Sequence, residues 1–228
     1  MKFLQKYEEL VPRVFVEKDI MPFILGKKLE MTQIFDDKGN AVPVTLIEAG
    51  PCVVLQVKSK DTKDNYNAIQ VGFDKKIKHV KKTEKGKEFR YIREFPFHSL
   101  PTTNYQLGDS IDVSVFQEGD KVKVSGVSKG KGFQGGVKRY HFKGHPQTHG
   151  VKHEVRTIGS VGTTNPDRVI KGKRMPGHMG VEQVSVRNLK IVKIDKENNI
   201  LAVKGAIPGR RGTLLEIMSS AVNKKKSK

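Results

Sequence analysis

Gly130-Lys131-Gly132-Phe133-Gln134-Gly135-Gly136-Val137 has the GxGxxG spacing of loops that cradle phosphates through backbone N–H groups. A dinucleotide site needs a helix directly after the glycines. Val137 to Gly150 holds Gly144 and Pro146 and shows no helical periodicity, so no such helix is expected. A kinase would need an HRD catalytic loop and a DFG triplet, and neither occurs. His141, His145, His149 and His153 recur every four residues, a metal-binding spacing on a helix. The same glycines and proline argue against that helix, and no cysteine or acidic cluster completes a ligand set. Solvated or RNA-facing imidazoles are the expectation. No nucleophile elbow, no HExxH and no paired carboxylates in an apolar setting are found. Cys52 stands alone in an apolar, strand-like run and reads as a buried small hydrophobe.

The strongest chemical signal is cationic. Lys129, Lys131, Lys138, Arg139, Lys143, Arg156, Arg168, Lys171, Lys173 and Arg174 are interleaved with glycine and with Phe133, Tyr140 and Phe142. From Gly126 to Gly180 there are eleven Lys and Arg against two acids, Glu154 and Asp167, so this segment supplies +9 of the chain's formal +19. Lysines neutralise phosphates, arginines fork onto them, and aromatic rings stack on unpaired bases. Phosphate contacts position a protein without reading sequence, so nucleic-acid binding is expected and base-specific reading is not. The segment has almost no apolar periodicity, and a compact domain rarely carries so long a loop unless it is functional. The expectation is that a polyanion outside the chain gives it its shape.

Stepping out from that loop, period-two patterns of β-branched residues predict strands: Val42-Val44-Leu46, Val53-Leu55-Val57, Asn67–Phe73, Val184–Ile194, Ile200–Val203 and Leu214–Met218. Ile111–Phe116 and Lys121–Val127 are expected to form a hairpin around Gln117–Asp120. Arg90–Phe97 fits either a short helix or an extended segment. Phe3, Leu4, Tyr7, Leu10 and Val11 suit a short amphipathic helix ending at Pro12. The charged N-terminus lacks the apolar stretch of a signal peptide, and no apolar run approaches the roughly 18 residues of a membrane span. A cytoplasmic location follows as an expectation. Evenly spaced short strands point to a mainly β fold, a small barrel or sandwich. The boundaries drawn are an N-terminal arm at 1–20, a first barrel part at 21–58, an inserted subdomain at 59–109 and a second barrel part at 110–126. A basic extension at 127–180, a third barrel part at 181–220 and a basic tail at 221–228 complete the chain.

Several blocks resemble the universal large-subunit ribosomal protein L-three family. They are Phe23-Ile24-Leu25-Gly26-Lys27-Lys28 with Met31-Thr32-Gln33-Ile34-Phe35, then Pro43 to Cys52 and Ser128 to Gly135. Lys171-Gly172-Lys173-Arg174-Met175, Gly177-His178-Met179-Gly180 and Leu201 to Gly209 follow in the family's order. The length is similar to that of the bacterial form. The resemblance implies a Greek-key β-barrel with an inserted small α+β subdomain and a long basic, irregular loop extension. It implies a structural constituent of the large ribosomal subunit that binds large-subunit ribosomal RNA near its 3′ end. It also implies a role in early assembly, a loop running toward the peptidyl transferase centre, and proteins L-fourteen and L-nineteen as neighbours. Glu30, Val155, Ile158 and Pro176 depart from the family's usual residues. His178 stands where some bacterial members carry a methylated glutamine, so that modification is not carried over.

The reading is therefore an RNA-binding structural protein, with no enzyme activity, cofactor, metal, membrane, small-molecule substrate or homo-oligomer expected. The RNA-binding set is Lys129, Lys131, Phe133, Gln134, Lys138, Arg139, Lys143, Arg156, Arg168, Lys171, Lys173, Arg174 and His178. The competing reading is a β-barrel enzyme whose glycine loop grips a nucleotide.

Overall fold

The computed structural model describes residues 22–36, 38–60, 64–78, 80–84, 86–96 and 105–220. The expected N-terminal arm and basic tail lie outside the described residues. In chain order the strands are β1 (Phe23–Phe35), β2 (Ala41–Ala49), β3 (Cys52–Lys58), β4 (Ala68–Lys75), β5 (Phe89–Pro96) and β6 (Ser110–Ile111). Then come β7 (Lys121–Val127), β8 (Gly132–Gln134), helix α1 (Gly136–Tyr140), β9 (Gly177–Met179), β10 (Gln183–Asp195), β11 (Ile200–Lys204) and β12 (Leu214–Ser219). The protein is mainly β, as its alternating apolar runs predict.

Six strands close into a barrel in the order β1-β12-β7-β10-β11-β2, every neighbour antiparallel. Val122 and Val124 of β7 and Leu215 and Ile217 of β12 point inward and are fully buried. Register shifts at Lys28/Met31, Val186/Leu189 and Ile191/Lys193 bend β1 and β10. Such bulges let a twisted sheet curve back on itself, and closure leaves no unpaired edge strand. A second sheet, ordered β5-β4-β3-β6, comes from the chain between β2 and β7. It covers the barrel wall at the start of β1, where Phe23 stacks on Phe95 with ring centroids 4.4 Å apart. This cover explains why Phe23, Ile24 and Leu25 are all buried instead of alternating. The two sheets share one apolar core.

One expectation is corrected here and one open choice is settled. Cys52–Lys58 pairs with β4 and β6, so the chain changes sheets at Gly50–Pro51. The expected 111–127 hairpin is absent: β6 pairs with β3, and Val113–Val115 is a 3-10 turn. In a 3-10 turn residues three apart eclipse, which puts Val113 and Phe116 into the core together. Of the segment 90–97, left open between helix and extended chain, residues 90–96 are strand within β5, and Phe97 lies outside the described residues. Among the described residues of 59–109 the helical content is one 3-10 turn, Lys82–Glu84.

Candidate nucleic-acid interface

The basic extension leaves the barrel as a narrow stem. β7 and β10 are paired to their ends, with Val127 opposite Gln183. The ladder then continues outward. Ser128 N–H donates to Glu182 O at 2.9 Å, Glu182 N–H to Ser128 Oγ at 3.2 Å, and Lys131 N–H to Met179 O at 2.9 Å. β8 and β9 pair next, setting Phe133 opposite His178. The strands can come this close because Gly180 has φ +85° and no side chain. A Cβ there would sit 2.2 Å from Lys129 O.

Beyond β8 the chain folds against itself. Gly136 is buried against Ile158 and Phe142, with no room for a Cβ. α1 follows and is stopped by His141 in the left-handed region, φ 61°. Arg139, on α1, donates from Nη1 to Met175 O at 2.9 Å. This bond brings the returning strand next to Tyr140. The guanidinium of Arg139 then lies 4.9 Å from the Tyr140 ring centroid and that of Arg174 lies 5.6 Å from it. One aromatic ring thus lies against two guanidiniums: that of Arg139 spends Nη1 on Met175 O, and that of Arg174 is exposed, with no hydrogen bond among the described residues to keep its N–H edge from an anion. Tyr140 is absent from the sequence-derived set, and only the pairing of β8 with β9 shows what Arg174 reaches.

The helix after the glycines contradicts the expectation that none would form. It is five residues long and follows a strand paired antiparallel, so the parallel β-α-β frame of a dinucleotide site is not formed here. The idea that only an outside polyanion shapes this segment is corrected too. The stem, α1 and the Arg139–Met175 bond are made within the chain. Among the described residues the hydrogen bonds of 132–178 stay inside the extension and do not tie it to the barrel.

Of the thirteen expected RNA-binding residues, eleven are exposed. The others, Gln134 and Arg139, are half-buried and hydrogen-bonded to Lys131 O and Met175 O. Lys129, Lys131, Phe133, Gln134 and His178 line the stem, and Lys138, Arg139 and Arg174 gather around α1. Lys143, Arg156, Arg168, Lys171 and Lys173 are spread along irregular backbone between them. None of these cations joins an ion pair among the described residues, whereas Lys27–Asp74 (2.7 Å), Lys58–Glu94 (2.9 Å) and Arg93–Glu216 (3.0 Å) pair on the barrel and second sheet. Phe133 is 77% exposed, an apolar face with no ring or cation against it among the described residues.

The four histidines do not share a helix face, and among the described residues no group of His, Cys, Asp and Glu could hold a metal. One motif escapes the sequence reading: Gly126-Val127-Ser128-Lys129-Gly130 has the G-x-S-x-G spacing. A nucleophile elbow needs a strand-to-helix turn. Ser128 instead lies in an antiparallel neck and its Oγ accepts the Glu182 N–H. Cys52 is fully buried between sheets, where it accepts the Leu25 N–H at 3.4 Å. Burial pushes its thiol up to about 12, which makes it inert at neutral pH.

Comparison with known proteins bears on the same residues. The family described as ribosomal protein L3 matches residues 100–228, which include the whole extension. A large ribosomal subunit protein uL3 of Dehalococcoides mccartyi is 50% identical over 200 residues, covering 85% of this chain and 96% of that protein. Those of Pelotomaculum thermopropionicum and Carboxydothermus hydrogenoformans are each 48% identical, over 206 and 209 residues. They cover 87% and 88% of this chain and 96% and 98% of those proteins. With identity at this level over nearly their full length, the chain belongs to the ribosomal protein L3 family.

Proposed function

We propose that this protein is a structural constituent of the large ribosomal subunit, anchored in ribosomal RNA by its basic extension. The family consists of structural ribosomal components, so no catalytic role is assigned. The closed barrel, read as a Greek key with the second sheet as its inserted subdomain, seats on the subunit surface. The extension enters the RNA near its 3′ end and points toward the peptidyl transferase centre. It neutralises phosphates that otherwise keep RNA segments apart and so supports early assembly. Proteins of the L-fourteen and L-nineteen families are the neighbours this reading implies, in the cytoplasm. One observation carries it: an extension with a dense set of cations that no acid among the described residues answers.

Titration of the full chain with large-subunit ribosomal RNA across salt concentrations tests this reading. The log–log slope should be steep, about 0.7 to 0.9 per phosphate contact. A flat response is the outcome that refutes it. A thermal-shift screen with common nucleotides addresses the competing reading, and no saturable shift is expected.

A further inference from the structure

The loop between β11 and β12 folds back over the barrel rim beside the root of the extension. Gly212 N–H donates to Lys28 O at 2.7 Å and Lys28 N–H donates to Thr213 O at 3.0 Å. The Lys28 ammonium sits beneath the loop and donates to Ile207 O at 2.8 Å and Gly209 O at 3.0 Å. Between loop and root lies a cavity of about 300 Å³, lined by Ser128, Lys129, Gly130, Val181, Arg210 and Thr213 among others. Its charged lining is Lys129 and Arg210, and no acid lines it. Arg211, next along, faces Glu30 at 3.8 Å. Lys28, Lys129 and Arg210 have no ion pair among the described residues. Partial burial and the charge of Lys129 together hold the Lys28 ammonium below the usual lysine range.

Like charges gathered around a cavity repel one another, and an anion seated between them removes that repulsion. The cavity also offers the Ser128 and Thr213 hydroxyls as donors. Val127 and Val181, 45% and 60% exposed, give it an apolar wall. That mixture suits a sugar–phosphate unit better than a bare ion. The crevice is continuous with the cationic stem, since Lys129 belongs to both.

We propose that this root crevice is a distinct phosphodiester site, in which Lys129 and Arg210 grip one backbone phosphate of the RNA that the extension enters, with Lys28 behind them. The proposal rests on the RNA-binding reading above and extends the contact from the extension to the barrel rim.

The test compares the full chain, a Lys129→Ala/Arg210→Ala variant and a Lys121→Ala/Lys196→Ala control. The control residues are exposed and lie at the opposite ends of β7 and β10. Large-subunit ribosomal RNA is titrated over a salt series, and inorganic phosphate is titrated separately while the Gly130 and Thr213 amide resonances are followed. The root variant should lose about one phosphate contact from its slope and about tenfold in affinity, with the control unchanged. Its melting temperature should hold or rise, because the repulsion is relieved. An unchanged slope in the root variant, or an equal loss in the control, overturns the site. A lower melting temperature also overturns it, since the cations would then be structural. Saturation by inorganic phosphate with no effect of the variant on RNA binding shows a free-anion site and overturns the phosphodiester assignment. A salt-insensitive wild type sinks the RNA-binding reading itself, a result distinct from all of these.

Discussion

Tyr140 fixes the direction of two arginines far apart in sequence. Each guanidinium-to-ring contact at an exposed site is worth about 0.5–1 kcal/mol. Tyr140→Leu, which removes both contacts, should therefore weaken RNA binding by roughly five- to thirtyfold, while Tyr140→Phe, which keeps the ring, should stay near wild type. Equal losses in both variants, measured by filter binding at fixed salt, would mean that the hydroxyl rather than the ring is at work. Cys52 gives a second expectation. Its folded-state value is raised from 9.0 to about 12, so the thiol's contribution to stability is complete below pH 9 and is lost as pH climbs toward 12. Relative to Cys52→Ala, the wild type should lose stability across that window. Alkylation by iodoacetamide at pH 8 should wait for unfolding, and fast labelling of the native protein would contradict the buried position. Of these two residues, only Cys52 was legible in the sequence, from its apolar neighbours. The role of Tyr140 was not, because Arg174 arrives beside it through the pairing of β8 with β9.

At the scale of elements, the stem depends on Gly180. Gly180→Ala places a Cβ against Lys129 O in a backbone region that side chains rarely adopt, at a cost of order 1–3 kcal/mol. Hydrogen exchange should show loss of protection at Lys131 and Gly132, with Val122 and Val124 in the barrel still protected. Loss of protection at both places would mean that stem and barrel unfold together. Strands such as β2, β7 and β12 were legible because one face of each is buried and alternation reports that directly. The segment 111–116 misled because a 3-10 turn and a strand can both bury apolar residues in a short run. α1 was invisible because five residues are too few for a helical period to show, and glycines begin it. The switch of sheets at Gly50–Pro51 was hidden because β3 is apolar in both of the sheets it could have joined.

For the whole molecule, charge divides the fold into two kinds of surface. The barrel and second sheet answer several of their cations with acids, while among the described residues no acid pairs with the expected set in the extension. Lys173→Ala/Arg174→Ala removes two such exposed charges. Exposed positions usually change stability by less than about 0.5 kcal/mol, and the ring that Arg174 meets, Tyr140, lies in the extension and not in the barrel. The melting temperature should therefore match wild type while assembly of large subunits, followed by sedimentation, falls. A variant that melts several degrees lower would assign these residues to the barrel instead. The concentration of charge in one glycine-rich stretch was plain in the sequence. The ladder of bonds that carries that stretch away from the barrel was not, because it depends on residues some fifty positions apart, such as Ser128 and Glu182.

That ladder has a consequence for how such a chain can be altered. Val127 and Gln183 face each other in the ladder, so the two cut points of the finger stand about one interstrand spacing, roughly 4.8 Å, apart. A two-residue hairpin turn spans that gap. Excision of everything between them should yield a miniature that still folds, and grafting a finger of different length should not disturb its host. The scaffold and its probe are thus separable modules, free to diverge at different rates.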